Sequence, residues 1–459
     1  MTESQPLTSN QSWPDYRAVW RWHFYASLFC IPFVIVLSVT GAMYLFKPQF
    51  EAWNDSPYDH LELKGRPTSA ADQVRAAIAA VPDSSLNAYE LPQAPEAAVR
   101  VLVRKNGEPI RVYLHPETLE VLHTFPENER FMRWLFRLHG ELLMGDRGSM
   151  LVELAASWTV LMIVSGLYLW WPRQSKGLGG IVYPRLSMGS GIFWRDIHSV
   201  TGVGISAMAL FLLLSGLPWA KSWGNYLKAV RHLTGTAVVQ QDWVNSSERS
   251  PGKKPESDSG GHGGHGSGSG KRDRGNTPLP KDLTAFDRIV ATVRPLGLRP
   301  PVLIAPPARE SVHWTAKSTT ANRPYRVNLV VDGQTGEIVS REDFKDKHLI
   351  DQIVSTGVAA HEGQLFGWPN QVLGLITAGG LLLVSVSGVI MWWRRREQGV
   401  LGAPKVMASP RVSWGLGALL LMFGAYLPLF GTSLLLVLVA EKLVLSRIAR
   451  VRNWLGLTS

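Results

Sequence analysis

Five long apolar runs, nearly free of charged residues, stand out along the chain. They cover residues 24–46, 151–171, 199–219, 371–393 and 414–440. A bilayer core about 30 Å thick is crossed by a helix of about 20 apolar residues, and each run reaches that length. The pattern predicts membrane-spanning helices, with buried helices of a large soluble protein as the alternative. The first run is too long for a cleaved signal peptide, so we expect it to remain as an anchor.

The last apolar run, residues 414–440, is divided by Pro428 and has basic residues at both ends. Because proline interrupts the hydrogen bonds of a helix interior, the run breaks there into two short helices. We interpret it as a helical hairpin with both ends on the same side of the membrane. A single kinked span is the alternative.

Two long polar segments separate the apolar runs, and both show the same order of patterns. "TSAADQVRAAIAAVP" (68–82) and "LTAFDRIVATVRP" (283–295) have apolar residues at helical spacing. Each is followed by extended stretches with turn signals between them. We therefore predict two small α+β modules. Residues 247–277, inside the second segment, are too polar and rich in glycine to bury a core, and are predicted to be a disordered insertion.

The distribution of basic residues predicts the orientation. Residues 172–195 carry four basic residues and no acidic one, and residues 394–411 carry five against one glutamate. Both loops are expected on the cytoplasmic side. The predicted order is a cytoplasmic tail (1–16), a first span (17–47), an outer module (48–130), a pre-helix with the second span (131–172), a cytoplasmic loop (173–193), a third span (194–222), a second outer module (223–350), a pre-helix with the fourth span (351–396) and C-terminal membrane segments (397–459).

Composition narrows the chemistry. The only cysteine is Cys30, so a disulfide within the chain and a thiolate metal site are both excluded. The net charge of +11 comes with arginines at the ends of the spans, where they orient a membrane protein, so we expect no nucleic-acid binding.

One motif at the end of an apolar run occurs twice, as "SGLYLWWPR" (165–173) and "SGVIMWWRR" (387–395). The intervals around it are also repeated. Gly166 lies 27 residues after His139, and Gly388 lies 27 residues after His361. In the same way, Gly41 lies 18 residues after His23, and Gly216 lies 18 residues after His198. The pattern predicts two parallel repeats, each an outgoing helix, an outer module and a returning helix, related by an axis along the membrane normal.

Four histidines fall at equivalent positions of the two repeats. His23 and His198 lie at the inner ends of the outgoing helices, and His139 and His361 lie just before the returning helices. Ionisable residues at membrane spans are costly and point to function. Two facing imidazoles without further ligands suit zinc poorly and suit the axial positions of haem iron. Two such centres about 27 Å apart would pass electrons across the bilayer.

The repeated endings, the paired histidines and the two outer modules resemble the PepSY-associated transmembrane helix proteins over residues 17–397. The resemblance implies a multi-pass protein of the bacterial inner membrane with periplasmic PepSY-like modules. It also implies two haem b groups with His23, His139, His198 and His361 as axial ligands. The implied activity is that of an oxidoreductase, the reduction of ferric iron in a siderophore or another chelate. No flavin or nicotinamide domain is recognisable, so we expect quinol or a cytoplasmic flavoprotein as the electron donor.

Three arginines at helical spacing, Arg130, Arg133 and Arg137, are candidates for a substrate surface. On one helix face they would attract an anionic chelate, or equally the headgroups of membrane lipids.

Two other functions stay open at this point. The outer modules could bind a periplasmic partner or protease, with the spans as anchors only. The internal repeats also suit a transporter, although we find no acidic residue deep in the spans to couple ions.

Overall fold

The structure is a computed structural model, and the residues it describes are 15–172, 177–236, 283–307, 311–404 and 414–457. The predicted insertion at residues 247–277 lies outside them. So do Arg173, Lys176, Lys405 and Arg411, four of the basic residues that predict the orientation.

The chain forms two compact units. The helical unit consists of Met1–Ala42, His139–Lys228 and Leu375–Ser459, and the sheet unit consists of Met43–Leu138 and Ala229–Gly374. Each unit is described by itself below.

The α-helices of the described residues are, in chain order, α1 (Tyr16–Tyr44), α2 (Lys47–Asp55), α3 (Ala70–Ala80), α4 (Phe131–Glu141), α5 (Asp146–Trp170), α6 (Ser190–Gly216), α7 (Lys221–Leu233), α8 (Thr284–Val293), α9 (Leu349–His361), α10 (Trp368–Arg395), α11 (Trp414–Tyr426), α12 (Pro428–Ala440) and α13 (Ala449–Leu455). The strands are β1 (Ser85–Glu90), β2 (Val99–Lys105), β3 (Glu108–Leu114), β4 (Val121–Pro126), β5 (Val302–Ala305), β6 (His313–Ser318), β7 (Val327–Asp332) and β8 (Ile338–Asp343).

Five helical segments of the described chain are long and apolar enough to cross a membrane. They are α1, α5, α6 with the turn that extends it to Trp219, α10, and α12 with the π-helical turn that extends it to Leu445. The four main spans predicted from the apolar runs are therefore confirmed by length and composition. Side chains on these helices are mostly only partly buried, as expected for surfaces that lipid covers.

The last apolar run forms two helices that meet at Pro428, as the sequence predicts. Proline occupies the first turn of α12, where its missing N–H is not needed. The two helices approach closely at two glycines, since a β-carbon added to Gly431 would lie 3.0 Å from the Cα atom of Gly424. The indole of Trp158 in α5 donates to the hydroxyl of Ser433 at 3.0 Å, which ties α12 to the main spans.

The two copies of the repeated ending also have the same local structure. The indole N–H of Trp170 donates to the carbonyl of Ile181 at 3.1 Å, and that of Trp392 donates to the carbonyl of Leu401 at 2.8 Å. The first tryptophan of each pair thus holds the segment that follows its helix. The second tryptophan of each pair is exposed.

The sheet unit contains one continuous antiparallel sheet, which differs from the two separate modules predicted. Its strand order is β4-β3-β2-β1-β5-β6-β7-β8, and each half is a helix followed by four strands. The halves join through β1 and β5, where Tyr89 lies opposite Ile304 and Glu90 opposite Leu303. Without this pairing, β1 and β5 would each be an edge strand with unpaired backbone N–H and C=O groups. Their pairing satisfies the hydrogen bonds of both strands.

Helices α3 and α8 cover one face of this sheet and share its core. The ring of Phe286 in α8 is fully buried, with its centroid 5.3 Å from that of Tyr89 in β1 and 5.0 Å from that of Trp314 in β6. The backbone N–H of Ala71 in α3 donates to the Asp287 carboxylate at 3.0 Å. The two halves therefore fold around a single hydrophobic core.

Replacing Phe286 with alanine should lower the free energy of unfolding of the sheet unit by about 3–5 kcal/mol, because it leaves a cavity at the centre of this core. Pulse proteolysis of the purified full chain in increasing urea measures the change. Val339→Ala, in the exposed edge strand β8, is the matched control and should shift the free energy by less than about 0.5 kcal/mol. Equal effects of the two variants would contradict a shared core.

Candidate cofactor site

His23 on α1 and His198 on α6 face each other inside the helical unit. Their ring centroids are 6.4 Å apart and their planes are nearly perpendicular, at 88°. Both side chains are half-buried. The structure thus brings together the two histidines that the sequence pairs at the inner ends of the outgoing helices.

Each ring is held at its Nδ1 atom by one of the returning helices. His23 Nδ1 lies 3.0 Å from the hydroxyl of Ser165 on α5. His198 Nδ1 lies 3.0 Å from the carbonyl of Val384 and 3.3 Å from the hydroxyl of Ser387, both on α10. All four main spans therefore contribute to the site.

The hydrogen bonds also determine which ring nitrogen carries the hydrogen. A carbonyl can only accept, so Nδ1 of His198 must donate to Val384. The hydroxyl of Ser165 already gives its own hydrogen to the carbonyl of Met162, at 3.0 Å, so it accepts from His23. Both imidazoles are thereby fixed with Nδ1 protonated and with the Nε2 lone pair available to a metal.

A glycine beside each hydroxyl makes room for the ring. A β-carbon added to Gly166 would lie 3.2 Å from Cε1 of His23, and one added to Gly388 would lie 3.5 Å from Cε1 of His198. This explains the Ser-Gly dipeptide that opens both copies of the repeated ending: serine orients the imidazole, and glycine admits it. The intervals along the sequence single out the glycines and not the serines, although the position of a serine beside each glycine is a usable signal.

His139 has the same surroundings within the helical unit. It lies near the end of α4, and its Nδ1 is 2.9 Å from the hydroxyl of Thr40 on α1. Thr40 gives its hydrogen to the carbonyl of Val36 at 2.7 Å, so it accepts from the ring. A β-carbon added to Gly41 would lie 3.1 Å from Cε1 of His139. A third hydroxyl–glycine pair thus holds a third histidine.

His361 belongs to the sheet unit, where it is the last residue of α9. The first turn of α9 is fixed by Asp351, which accepts two hydrogen bonds from the buried guanidinium of Arg231, at 2.7 and 2.8 Å. His139 and His361 fall in different units, and their pairing stays a prediction from the sequence.

The ligand set of the His23–His198 site fits haem better than a protein-only metal site. Within the described ranges, no three His, Cys, Asp or Glu residues are grouped so that they could hold a metal ion. Zinc sites use three or four protein ligands. Two metal–nitrogen bonds of about 2 Å, together with the two ring radii, give about 6 Å between ring centres, close to the separation observed. The residues present therefore fit a group that brings its own equatorial ligands.

The arginines proposed as a substrate surface do not share one helix face. Arg130 precedes α4, and its carbonyl accepts the backbone hydrogen bonds that begin the helix. Its guanidinium lies 3.4 Å from the Asp55 carboxylate and 3.4 Å from the Tyr113 hydroxyl. Arg133 and Arg137 are on α4, and Arg133 lies over the ring of Phe136. Arg130 is therefore occupied by an internal ion pair.

One span contains a buried carboxylate that the apolar pattern of the sequence does not reveal. Glu153, near the start of α5, is almost fully buried and accepts from the backbone N–H groups of Ser222 and Trp223, at 2.9 and 3.0 Å. These groups begin α7, and a carboxylate is favourable at a helix N-terminus. Glu153 therefore caps the N-terminus of α7. This role is structural and gives no support to ion coupling.

The fold defines a class, a membrane protein whose several apolar helices are combined with a β-sheet region. The family model described as the PepSY-associated TM region matches residues 20–395, and the chain belongs to this family. No curated protein matches the chain. The matched range contains all four histidines and both copies of the repeated ending.

Replacing Gly166 with valine should displace the His23 ring from Ser165, because even a β-carbon there comes within 3.2 Å of it. If His23 is a haem ligand, the visible haem absorbance per protein of the purified variant falls. Gly415→Val, on α11, is the matched control, since a β-carbon there meets no atom within 4 Å. Full haem content in Gly166→Val would contradict the assignment of His23 as a ligand.

Proposed function

We propose that this protein carries two bis-histidine haem b groups in the bacterial inner membrane. It would pass electrons from the cytoplasmic side to the periplasm and there reduce ferric iron held by a siderophore or another chelate. The observation that supports this best is the pair of His23 and His198, 6.4 Å between ring centres, each anchored through Nδ1.

The anchoring of the rings favours electron transfer over reaction with oxygen. Haem bound here would be held by His23 and His198 and would supply a one-electron iron couple. Ser165 and Ser387 keep the rings in one orientation and in one tautomer. Anchored in this way, the two imidazoles would move little when the charge at the site changes.

The second haem is proposed between His139 and His361, as the duplicated unit in the sequence predicts. Thr40 and Gly41 surround His139 as Ser165 and Gly166 surround His23, which supports a ligand role for it. In the second half of the chain the corresponding dipeptide is Ser215–Gly216, which follows His198 at the interval that separates Gly41 from His23. A hydroxyl residue followed by glycine thus stands near the C-terminal end of each outgoing span.

The electron donor is proposed to be quinol or a cytoplasmic flavoprotein, and the long polar segments are proposed to be periplasmic. The competing function is a membrane-anchored module that binds a periplasmic partner or protease without redox activity. The two functions differ in a simple property, because only the first requires a coloured protein.

The dithionite-reduced spectrum of the purified protein should show the sharp paired bands of six-coordinate haem. The stoichiometry should be two haems per chain, measured as the pyridine haemochrome. His139→Ala or His361→Ala should remove about half of the haem, since each removes one axial ligand of one site. His60→Ala, an exposed histidine of the sheet unit, is the control. A colourless protein from haem-replete cells would eliminate the redox proposal in favour of the anchored module.

Ferric reduction itself is measured without oxygen by mixing the reduced protein with a ferric hydroxamate siderophore. Each Fe3+ takes one electron, so the Fe2+ caught by a ferrous chelator should equal the haem that is reoxidised. His23→Ala should strongly slow the transfer of electrons from a quinol donor to the siderophore, because it interrupts the path at its inner site. Reoxidation no faster than in buffer alone would show that ferric chelates are not the acceptor.

A further inference from the structure

The first turns of α1, the end of α10 and the C-terminal helix α13 meet in the helical unit, with the segment 401–404 between them. The backbone N–H of Leu401 donates to the carbonyl of Trp454 at 2.9 Å. The hydroxyl of Tyr25 donates to the carbonyl of Leu455 at 2.5 Å. The haem proposal makes no use of the side chains at this meeting point.

Two arginines border it, and both donate only to neutral carbonyl oxygens. Nη1 of Arg21 lies 2.7 Å from the carbonyl of Pro404, and Nη2 of Arg395 lies 3.2 Å from that of Gly402. Carbonyls of residues two apart along a chain are separated by at most about 7 Å. A guanidinium has five N–H groups, so both side chains keep donors for a further ligand. The two cations are therefore close enough to contact one anion together.

Both guanidiniums also lie over aromatic rings. That of Arg395 is 4.9 Å from the ring centroid of Trp20 and 5.5 Å from that of Phe24. That of Arg21 is 5.0 Å from the ring centroid of Tyr25. Rings attract a cation through their quadrupole but carry no net charge. Carbonyls and rings thus position the two arginines and leave their positive charge uncompensated.

No carboxylate of the described residues forms an ion pair with either arginine. The ion pairs of the helical unit lie elsewhere, at Asp146 and Asp196. On the elements that meet here and their flanks, nine basic residues stand against three acidic ones: Arg17, Arg21, Arg394, Arg395, Arg396, Lys442, Arg447, Arg450 and Arg452 against Asp15, Glu397 and Glu441. The balance of charge therefore favours an anionic ligand.

A third guanidinium adds a donor that lacks an acceptor. Arg452 lies on α13, one turn before Leu455, whose carbonyl also accepts from Arg21 at 3.5 Å. The Nε atom of Arg452 is buried and has no hydrogen-bond partner within the part of the chain that the structure describes. Leaving a buried donor of a charged group unsatisfied costs free energy. An acceptor from outside the chain would remove that cost.

We infer that the arginine cluster of Arg21, Arg395 and Arg452 binds the phosphate of an anionic membrane lipid. Guanidinium groups bind phosphate through paired, charge-assisted hydrogen bonds, and basic pockets between spans bind phospholipid headgroups. The position favours a lipid over a soluble anion, because α1 and α10 are long and apolar enough to cross a membrane and the cluster lies at their ends. Nearby apolar side chains, about half exposed, would contact the acyl chains: Leu443, Val444 and Ile448.

Native mass spectrometry of the full chain in detergent tests this proposal by counting bound lipid as its concentration rises. The probes are dioleoylphosphatidylglycerol and dioleoylphosphatidylcholine, which share acyl chains and a phosphate and differ in net charge. We expect phosphatidylglycerol to bind at least tenfold more tightly. Arg21→Gln and Arg395→Gln should each weaken its binding about fivefold and leave phosphatidylcholine binding unchanged. Arg395→Lys keeps the charge without the paired hydrogen bonds and should weaken binding less than Arg395→Gln.

Arg147→Gln is the matched control, since it removes the same charge elsewhere in the helical unit. Arg147 lies on α5, 19 residues before the Gly166 that contacts His23, which is about 28 Å along the helix. This variant should keep the phosphatidylglycerol affinity of the unaltered chain. If a glutamine variant does not fold, the lipid preference of the unaltered chain and the affinity of Arg395→Lys decide the question.

Equal affinities for the two lipids would overturn the proposal, as would full phosphatidylglycerol affinity in Arg21→Gln/Arg395→Gln. Sodium phosphate in place of sodium chloride, at constant ionic strength, separates the two sources of phosphate. Retained lipid supports the lipid site, whereas displacement of the lipid by phosphate would show a site for a soluble anion. Bound lipid is counted independently of haem, so this proposal and the redox proposal fail independently.

Discussion

The helical unit depends on one interaction, the hydrogen bond from a histidine Nδ1–H to an oxygen on a neighbouring span. An imidazole N–H within an apolar helix bundle costs free energy unless it meets an acceptor, because lipid supplies none. His23, His198 and His139 all meet this condition. Their hydroxyl partners use their own hydrogen within their own helix, so they accept from the ring. The polar bond therefore links the spans and fixes each imidazole.

This bond also explains why small residues follow the hydroxyls. A ring that approaches a helix closely enough to reach a serine side chain lies against the next residue, and only glycine leaves the space. Orientation and space are thus supplied by two adjacent residues, Ser165–Gly166 for His23 and Ser387–Gly388 for His198. Because the same pair of requirements arises at each ring, the same dipeptide recurs, and the Nε2 lone pairs of His23 and His198 remain for a metal.

In the sheet unit, pairing between elements decides the surface chemistry as well as the fold. The hydrogen bonds between β1 and β5 close two edges and make one sheet of two similar halves. Within one half, Arg111 and Arg130 are neutralised by carboxylates of other elements. The positive charge of these two arginines is therefore taken up by ion pairs inside the sheet unit.

The sequence by itself determined the spans, the break at Pro428, the helix-then-strand order of both halves and the pairing of His23 with His198. Those features follow from local composition and from intervals along the chain, which a helix preserves. Only the tertiary structure decided that two modules share one sheet, that Ser165 and Ser387 anchor the rings, that Glu153 caps α7 and that Arg130 is neutralised. Each of these depends on a partner from a distant part of the chain, and neither hydropathy nor spacing specifies which backbone edges, hydroxyls or charges meet in space.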